Sequence, residues 1–246
     1  SNFAESFFAG YKPEEDKPFF LYLSFMNPHD ICYGAGFDPR FPDKLRPHQI
    51  AATQKYINFR KTLSEEEYRN QIPPVPANME PNGAYAEMKE IGSGSRSWTE
   101  EQWDFYRWMY CRLVEDVEKQ IGRILTALAD AGLADNTIVV FTSDHGEMGQ
   151  SHGLVFKSQL LEEATRTPLI IAGPGIQKGI VDSKNLTCGI DLVPTMCDLA
   201  GIPIPKGLSG KSLKPILTGQ TVKMSRNHII VESSSGYQIH DGRYKY

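Results

Sequence analysis

Three positions carry side chains that could do chemistry together: Asp144, His145 and Lys157. The first two close the run Thr137-Ile138-Val139-Val140-Phe141-Thr142-Ser143, and Gly146 follows them directly. Asp144 offers a hard anionic oxygen and His145 an imidazole nitrogen, two ligand types that together make half of a divalent-cation site. Gly146 would let the backbone turn sharply just past them. Asp-His-Gly after a strand is also ordinary turn chemistry, so the pair alone leaves both readings open. A fourth candidate is His29, in Asn27-Pro28-His29-Asp30. A lone histidine after a strand is more often structural than catalytic.

The elements that must position these groups follow from periodicity. Ile138 to Phe141 is apolar on both faces and rich in β-branched residues, which predicts a buried strand ending at Asp144. In open α/β sheets, sites lie beyond the carboxyl ends of the strands. Pro18-Phe19-Phe20-Leu21-Tyr22-Leu23-Ser24-Phe25-Met26 predicts a second buried strand, stopped where Pro28 removes an N–H and holds Asn27 extended. Leu169 to Ala172 predicts a third, stopped by Gly173-Pro174-Gly175, and His228 to Glu232 another. Thr99-Glu100-Glu101-Gln102 fits a capping box. Beyond it, Trp103, Tyr106, Tyr110, Leu113, Val117, Ile121, Ile124 and Leu128 recur in steps of three and four, one stripe of a long helix closed by Gly132 and Leu133. Glu115, Asp116 and Glu118 fall mid-helix and read as a solvated face. Asp191 to Gly201 predicts an N-capped helix with Gly201 closing it. The segment 31–97 is rich in proline and glycine and reads as an insertion over the rim of the site. Within it Ser64-Glu65-Glu66-Glu67 opens a short helix, and Arg40, Lys44, Arg46 and His48 are single charges of little weight. Residues 206–246 read as a connector and final strands.

The order of these motifs resembles the sulfatase branch of the alkaline phosphatase-like superfamily. Ser143-Asp144-His145-Gly146, then His152-Gly153, Lys157, and Arg166-Thr167-Pro168 before a strand, follow that family's sequence of motifs. Phe-Phe-Leu-Tyr-Leu-Ser-Phe-x-Asn-Pro-His-Asp at residues 19–30 is similar to its histidine motif. Gly207 to Gly219 resembles its Gly-x-Ser-Leu-x-Pro-x-Leu-x-Gly connector, with Ser209 where Asp is usual. The resemblance implies an α/β fold with a mostly parallel central sheet flanked by helices, incomplete here at both ends. It implies that Asp144 and His145 bind the cation, and that Lys157 and His29 are catalytic and touch the substrate sulfate and the scissile ester oxygen. His152 is a further substrate-binding candidate. The cation implied is Ca2+, with Mn2+ or Zn2+ left open by the imidazole. The family's nucleophile is a formylglycine made from a Cys/Ser-x-Pro-Ser-x-Arg motif, and an Asp-Asp pair completes its metal site. Neither motif occurs in these 246 residues. The expectation is therefore a partial catalytic domain, inactive alone, that needs an N-terminal segment of the same protein.

The implied reaction is sulfuric ester hydrolysis, with a sulfated saccharide as substrate. A phosphonate monoester or phosphodiester hydrolase, or a non-catalytic carbohydrate-binding or structural module, are the alternatives. A net charge of −4 gives no basic footprint for nucleic acid. No apolar run approaches the roughly 20 residues of a membrane span. Family resemblance favours a periplasmic or secreted location. Cys32, Cys111, Cys188 and Cys197 form no CxxC pattern, leaving their pairing open, with Cys111 and Cys197 read as buried free thiols.

Overall fold

The computed structural model describes residues 2–15, 17–34, 47–79, 95, 98–220, 226–234 and 236–246. Arg40, Lys44 and Arg46 lie outside the described residues, as does the side chain of His48. The chain divides into two compact units, Ser1–Leu133 with Glu147–Phe156, and Ala134–Gly146 with Lys157–Tyr246.

The first unit is built on one long helix. Helices α1 (Asn2–Gly10), α2 (Ile31–Gly34), α3 (Pro47–Arg60) and α4 (Glu65–Arg69) precede α5 (Glu100–Asp130). Thr99 caps α5 through the expected box: its side chain accepts from the Gln102 N–H, and the Gln102 side chain accepts from the Thr99 N–H. The other end closes as read. Gly132 takes φ +69°, its N–H donates to Ala129, and the Leu133 N–H donates to Leu128 at 3.1 Å. The burial is not one even stripe. Trp103, Phe105, Tyr106, Trp108, Met109 and Leu113 are all buried, while Tyr110, Val117 and Ile121 are only half-buried. The first half of α5 is thus covered nearly all round, by Ile31 of α2, Tyr56 of α3, Tyr68 of α4 and Val155. Trp108, fully buried between Phe59, Tyr68 and Phe105, anchors this core. Its truncation to alanine would cost about 3–5 kcal/mol.

Helix α4 has the Ser64 cap that its sequence announced, with Glu67 completing a second capping box. Helix α3 was not foreseen, because its weakly patterned residues sit in a stretch whose composition reads as loop. Asp116 corrects another expectation. It does not lie on a solvated face: its carboxylate accepts from Tyr56 Oη at 2.7 Å and pairs with Lys55, both on α3.

In the second unit, β1 (Val139–Thr142) pairs antiparallel with β2 (Leu169–Ala172), in the register Val139 to Ala172 and Thr142 to Leu169. Strands β3 (Ile229–Ser233) and β4 (Gly236–His240) form a second antiparallel pair. Parallel pairing was the expectation. Parallel neighbours need a crossover, usually a substantial helix, whereas the link between β1 and β2 holds only a 3-10 turn at Ser151–Gly153 and α6, a four-residue helix at Glu162–Thr165. The expected burial also fails. Each described ladder has two strands, so outer faces stay open, and Phe141, Leu169 and Ile170 are exposed.

Residues 18–26, predicted as a buried strand in the first unit, make no ladder among the described residues. They keep a strand's alternation, with Phe19, Leu21, Leu23 and Phe25 half-buried and Phe20, Tyr22 and Met26 exposed. Phe19 is packed edge-on against Tyr11 and Phe7 of the N-terminal segment, at centroid distances of 5.0 and 5.3 Å.

Helix α7 (Leu192–Leu199) ends as read: Gly201 adopts φ +69° and the Ile202 N–H reaches Cys197. Its start differs. The Asp191 side chain makes no cap bond and instead faces Arg226, Cys188 and Lys211. All four cysteines are free thiols; Cys111 and Cys197 are free as expected but only half-buried. Burial pushes the Cys111 thiol up.

Candidate active site

The end of β1 delivers Asp144 and His145 as its residues predict, but with a different role for the glycine. Thr142 Oγ1 donates to the Pro168 carbonyl at 2.8 Å, holding the strand end against the start of β2. Ser143 Oγ donates to the His145 carbonyl at 2.7 Å, and the His145 N–H donates to Asp144 Oδ1 at 3.0 Å. The chain is thereby folded into a tight, self-bonded corner. Gly146 has no left-handed φ. What it supplies is space: a Cβ there would stand 1.9 Å from the Glu163 carbonyl oxygen.

Within this corner His145 Nε2 lies 3.4 Å from Asp144 Oδ2. His145 Nδ1 lies 2.8 Å from the Gly146 carbonyl, which can only accept, so the contact puts the proton on Nδ1. Nε2 is the ring nitrogen left to face Asp144, whose carboxylate is 84% exposed. A backbone carbonyl fixing one ring nitrogen while the other is left to coordinate is the usual support of a metal-bound histidine. One carboxylate and one imidazole fit a divalent cation as part of its shell. Among the described residues no group of three or more His, Cys, Asp or Glu side chains gathers to complete one.

Lys157 belongs to the same unit as Asp144 and His145 and is half-buried. It stands between two non-glycine residues in the left-handed region, Phe156 at φ +70° and Ser158 at φ +76°. The segment that follows is pinned to the β3–β4 pair: Ser233 Oγ donates to the Ser158 carbonyl, and Gln238 Nε2 to the Leu160 carbonyl at 2.6 Å.

His29 and His152 belong to the other unit. His29 ends a turn whose N–H returns to Met26 at 3.0 Å, after a cis Asn27–Pro28 bond, and its carbonyl receives the Cys32 N–H. Buried Ile31 anchors that turn. His152 sits at φ +56° in a 3-10 turn, Ser151–Gly153, with its N–H donated to the Asn78 carbonyl at 2.8 Å. Its Nε2 lies 3.3 Å from Asn78 Nδ2, an amide that can only donate, so Nε2 is engaged as an acceptor.

The sulfatase family model matches residues 2–202. The chain belongs to the sulfatase family. It is 33% identical over 241 residues to the Delta 4,5-hexuronate-2-O-sulfatase of Bacteroides thetaiotaomicron, covering 94% of this chain and 48% of that protein. It is 32% identical over 217 residues to arylsulfatase K of Danio rerio, covering 86% of this chain and 38% of that one. The solved structure of a 2-O GAG sulfatase superimposes on the whole of it with a TM-score of 0.78 and 27% identity, using 52% of that chain. This sulfatase-family chain therefore has the alkaline phosphatase-like fold and spans about half, or less, of the relatives it matches.

One residue of the region escaped notice in the sequence. Glu147, three positions after Asp144, accepts from Tyr106 Oη at 2.7 Å and from the Phe156 N–H. Its signal was its place inside the Asp-His-Gly-Glu run.

Proposed function

We propose that this chain supplies the cation-binding corner and two substrate-contacting groups of a sulfuric ester hydrolase acting on a sulfated carbohydrate, with 2-O-sulfated hexuronate as the favoured substrate. The observation that carries the reading is the Asp144–His145 corner, with Nδ1 held by the Gly146 carbonyl and Nε2 turned to an exposed carboxylate, in a chain of the sulfatase family. Two similar proteins are described as acting on a 2-O sulfate, one on a hexuronate and the other on a GAG, which favours that ester over other sulfates.

A divalent cation held by Asp144 and His145 would supply Lewis-acid polarisation of the sulfate oxygens. The Gly146 carbonyl, by engaging Nδ1, would leave Nε2 as the ring atom to hold the cation. Lys157 sets its ammonium against the sulfate's negative charge, a preorganised electrostatic contribution. His29 hydrogen-bonds the ester oxygen and gives it a proton as the S–O bond breaks. His152, held through Nε2 by Asn78, is a further candidate for contact with the substrate. The nucleophile, for which family resemblance implies a formylglycine, comes from outside these residues.

The test is a side-by-side rate measurement on the full-length protein with a 2-O-sulfated unsaturated hexuronate disaccharide, an aryl sulfate and an aryl phosphonate. Sulfate release from the disaccharide, diminished at least about 100-fold by Lys157→Ala or His29→Ala, is expected for charge-stabilising and acid groups. Faster turnover of the phosphonate than of either sulfate would overturn the assignment.

A further inference from the structure

We propose that Glu147 is a positioning residue for Lys157: its carboxylate, fixed by Tyr106, closes the base of loop 147–156 on the Phe156 N–H and so sets the direction in which the chain enters Lys157. The proposal rests on the reading of Lys157 as the group that meets the sulfate, and adds a residue that touches neither sulfate nor cation.

The geometry is specific. A single oxygen of Glu147 accepts from Tyr106 Oη at 2.7 Å, from the Phe156 N–H at 2.5 Å and from the Gly149 N–H at 3.4 Å. Glu147 and Phe156 are nine residues apart, so this one carboxylate ties both ends of the loop. A backbone bond backs it up, from the Met148 N–H to the Phe156 carbonyl at 2.9 Å. Tyr106 is 2% exposed and belongs to the core of α5. Burial first, and the adjacent carboxylate second, push its phenol well above the ordinary range, so it remains a donor at any working pH.

The rest of the loop is held to the same scaffold. Arg107, the next residue on α5, reaches Gln150; Ser95 Oγ donates to the Gly153 carbonyl; and Asn78 accepts the His152 N–H. Met148, Leu154 and Val155 are buried. A loop this constrained can hold Phe156 in the left-handed region, a conformation that bulky residues keep only where neighbours over-determine it. Phe156 is the last residue before Lys157, so its backbone conformation sets how the chain arrives there. On the other side of Glu147, the Gly146 N–H donates to the Ala164 carbonyl at 2.9 Å. The cation corner and the chain leading from Lys157 are thus closed by one bond, and the loop between them by Glu147.

The experiment combines a double-mutant cycle with amide exchange, both on the full-length protein. Glu147→Ala is expected to lower kcat/KM for the sulfate ester by about 10–100-fold, as loss of a supporting hydrogen-bond partner does at such sites. Glu147→Gln keeps an acceptor oxygen and should recover most of that loss. In a Lys157→Ala background, Glu147→Ala should have almost no further effect, because a residue that acts only by placing Lys157 has nothing left to place. Effects that simply multiply would overturn the proposal, as would a Glu147→Gln variant as slow as Glu147→Ala. The Phe156 amide should exchange faster in Glu147→Ala while amides in the middle of α5 stay protected, and unchanged Phe156 exchange would sink the clamp. If the unmutated protein releases no sulfate, the functional reading fails by itself, and the exchange result still decides for or against the clamp.

Discussion

Gly146 and Glu163 approach so closely that the glycine's α-hydrogen faces the Glu163 carbonyl: any Cβ at 146 would lie 1.9 Å from that oxygen and 3.0 Å from its carbon. Both are backbone atoms and cannot swing aside as a long side chain can. Gly146→Ala must therefore move one strand of the corner or break the bond from the Gly146 N–H to Ala164. The expected loss is about 1–3 kcal/mol, the range for overpacking a tight site. Urea unfolding of the variant against the parent measures it, and an unchanged midpoint would show that the corner is looser than its geometry says.

Cation binding gives a second test of the corner. In the full-length protein, excess Ca2+ or Mn2+ should raise the thermal midpoint, since a ligand at about 100 times its Kd adds about 2.7 kcal/mol to the folded state. Asp144→Ala and His145→Ala should each abolish most of that rise, with Lys157→Ala leaving it nearly intact. A rise that survives both substitutions would place the cation elsewhere. Comparing the two ions also reports the donor set, because an imidazole ligand favours Mn2+ relative to an all-oxygen shell.

The second unit depends on an ion pair that the sequence did not announce. Arg226 Nη1 lies 2.6 Å from Asp191 Oδ2, and Nη2 lies 2.7 Å from Oδ1, a bidentate pair whose aspartate has no exposed side-chain surface. The same carboxylate accepts the backbone N–H groups of Cys188 and Lys211, at 2.9 and 2.7 Å, and so joins three separate segments. Removing one partner of a buried pair leaves an uncompensated charge, about 3–5 kcal/mol. Arg226→Ala should show that loss. Arg226→Lys should recover little of it, because an ammonium cannot form the two parallel bonds.

The same pair predicts a pH signature. Burial alone would push the Asp191 carboxyl up, but the Arg226 and backbone hydrogen bonds outweigh it and hold the group below its ordinary 3.8. The folded chain then binds fewer protons than the unfolded one near that pH. The pair's contribution is complete above about pH 4 and falls as pH drops through the depressed value. Between pH 5 and pH 3 the parent should lose more stability than Arg226→Ala, whose stranded carboxyl gains from protonation. Denaturant midpoints at the two pH values measure the difference, and equal losses would contradict it.

How much of this was legible depended on how local the cause is. The caps of α5 and α4 were readable because Thr99 with Gln102, and Ser64 with Glu67, bond within four residues. The corner at Asp144 was readable as a strand ending in ligand-type side chains, and the sulfatase family matches its motifs. Strand pairing was not, because a run such as Val139 to Phe141 carries no record of its partner's direction. The Asp191 carboxylate was misread for a related reason: aspartate before a helix is the ordinary cap, and only the chain's return at Arg226, 35 residues later, draws it away. Asp116 was misread because its partner helix lies in a stretch whose composition suggests a loop.

That last pair gives a prediction on the phenol rather than the carboxylate. Tyr56 is 4% exposed and donates to Asp116 at 2.7 Å. Burial first, then the hydrogen bond to Asp116, raise the phenol well above its ordinary value of 10. A raised pKa stabilises the folded chain fully below the unfolded value, and the contribution is lost as pH climbs through the folded one. Asp116→Asn removes the charge but keeps an acceptor oxygen, and should bring the Tyr56 titration down towards the ordinary range while burial still holds it above 10. It should also cost about 1 kcal/mol, the gap between a hydrogen bond to a charged group and one to a neutral group. Tyrosinate absorbance against pH, with Tyr56→Phe to identify the band, measures the first effect and urea unfolding at pH 7 the second. An unmoved titration in Asp116→Asn would mean that burial alone holds the phenol, and that the long helix and α3 meet without this bond.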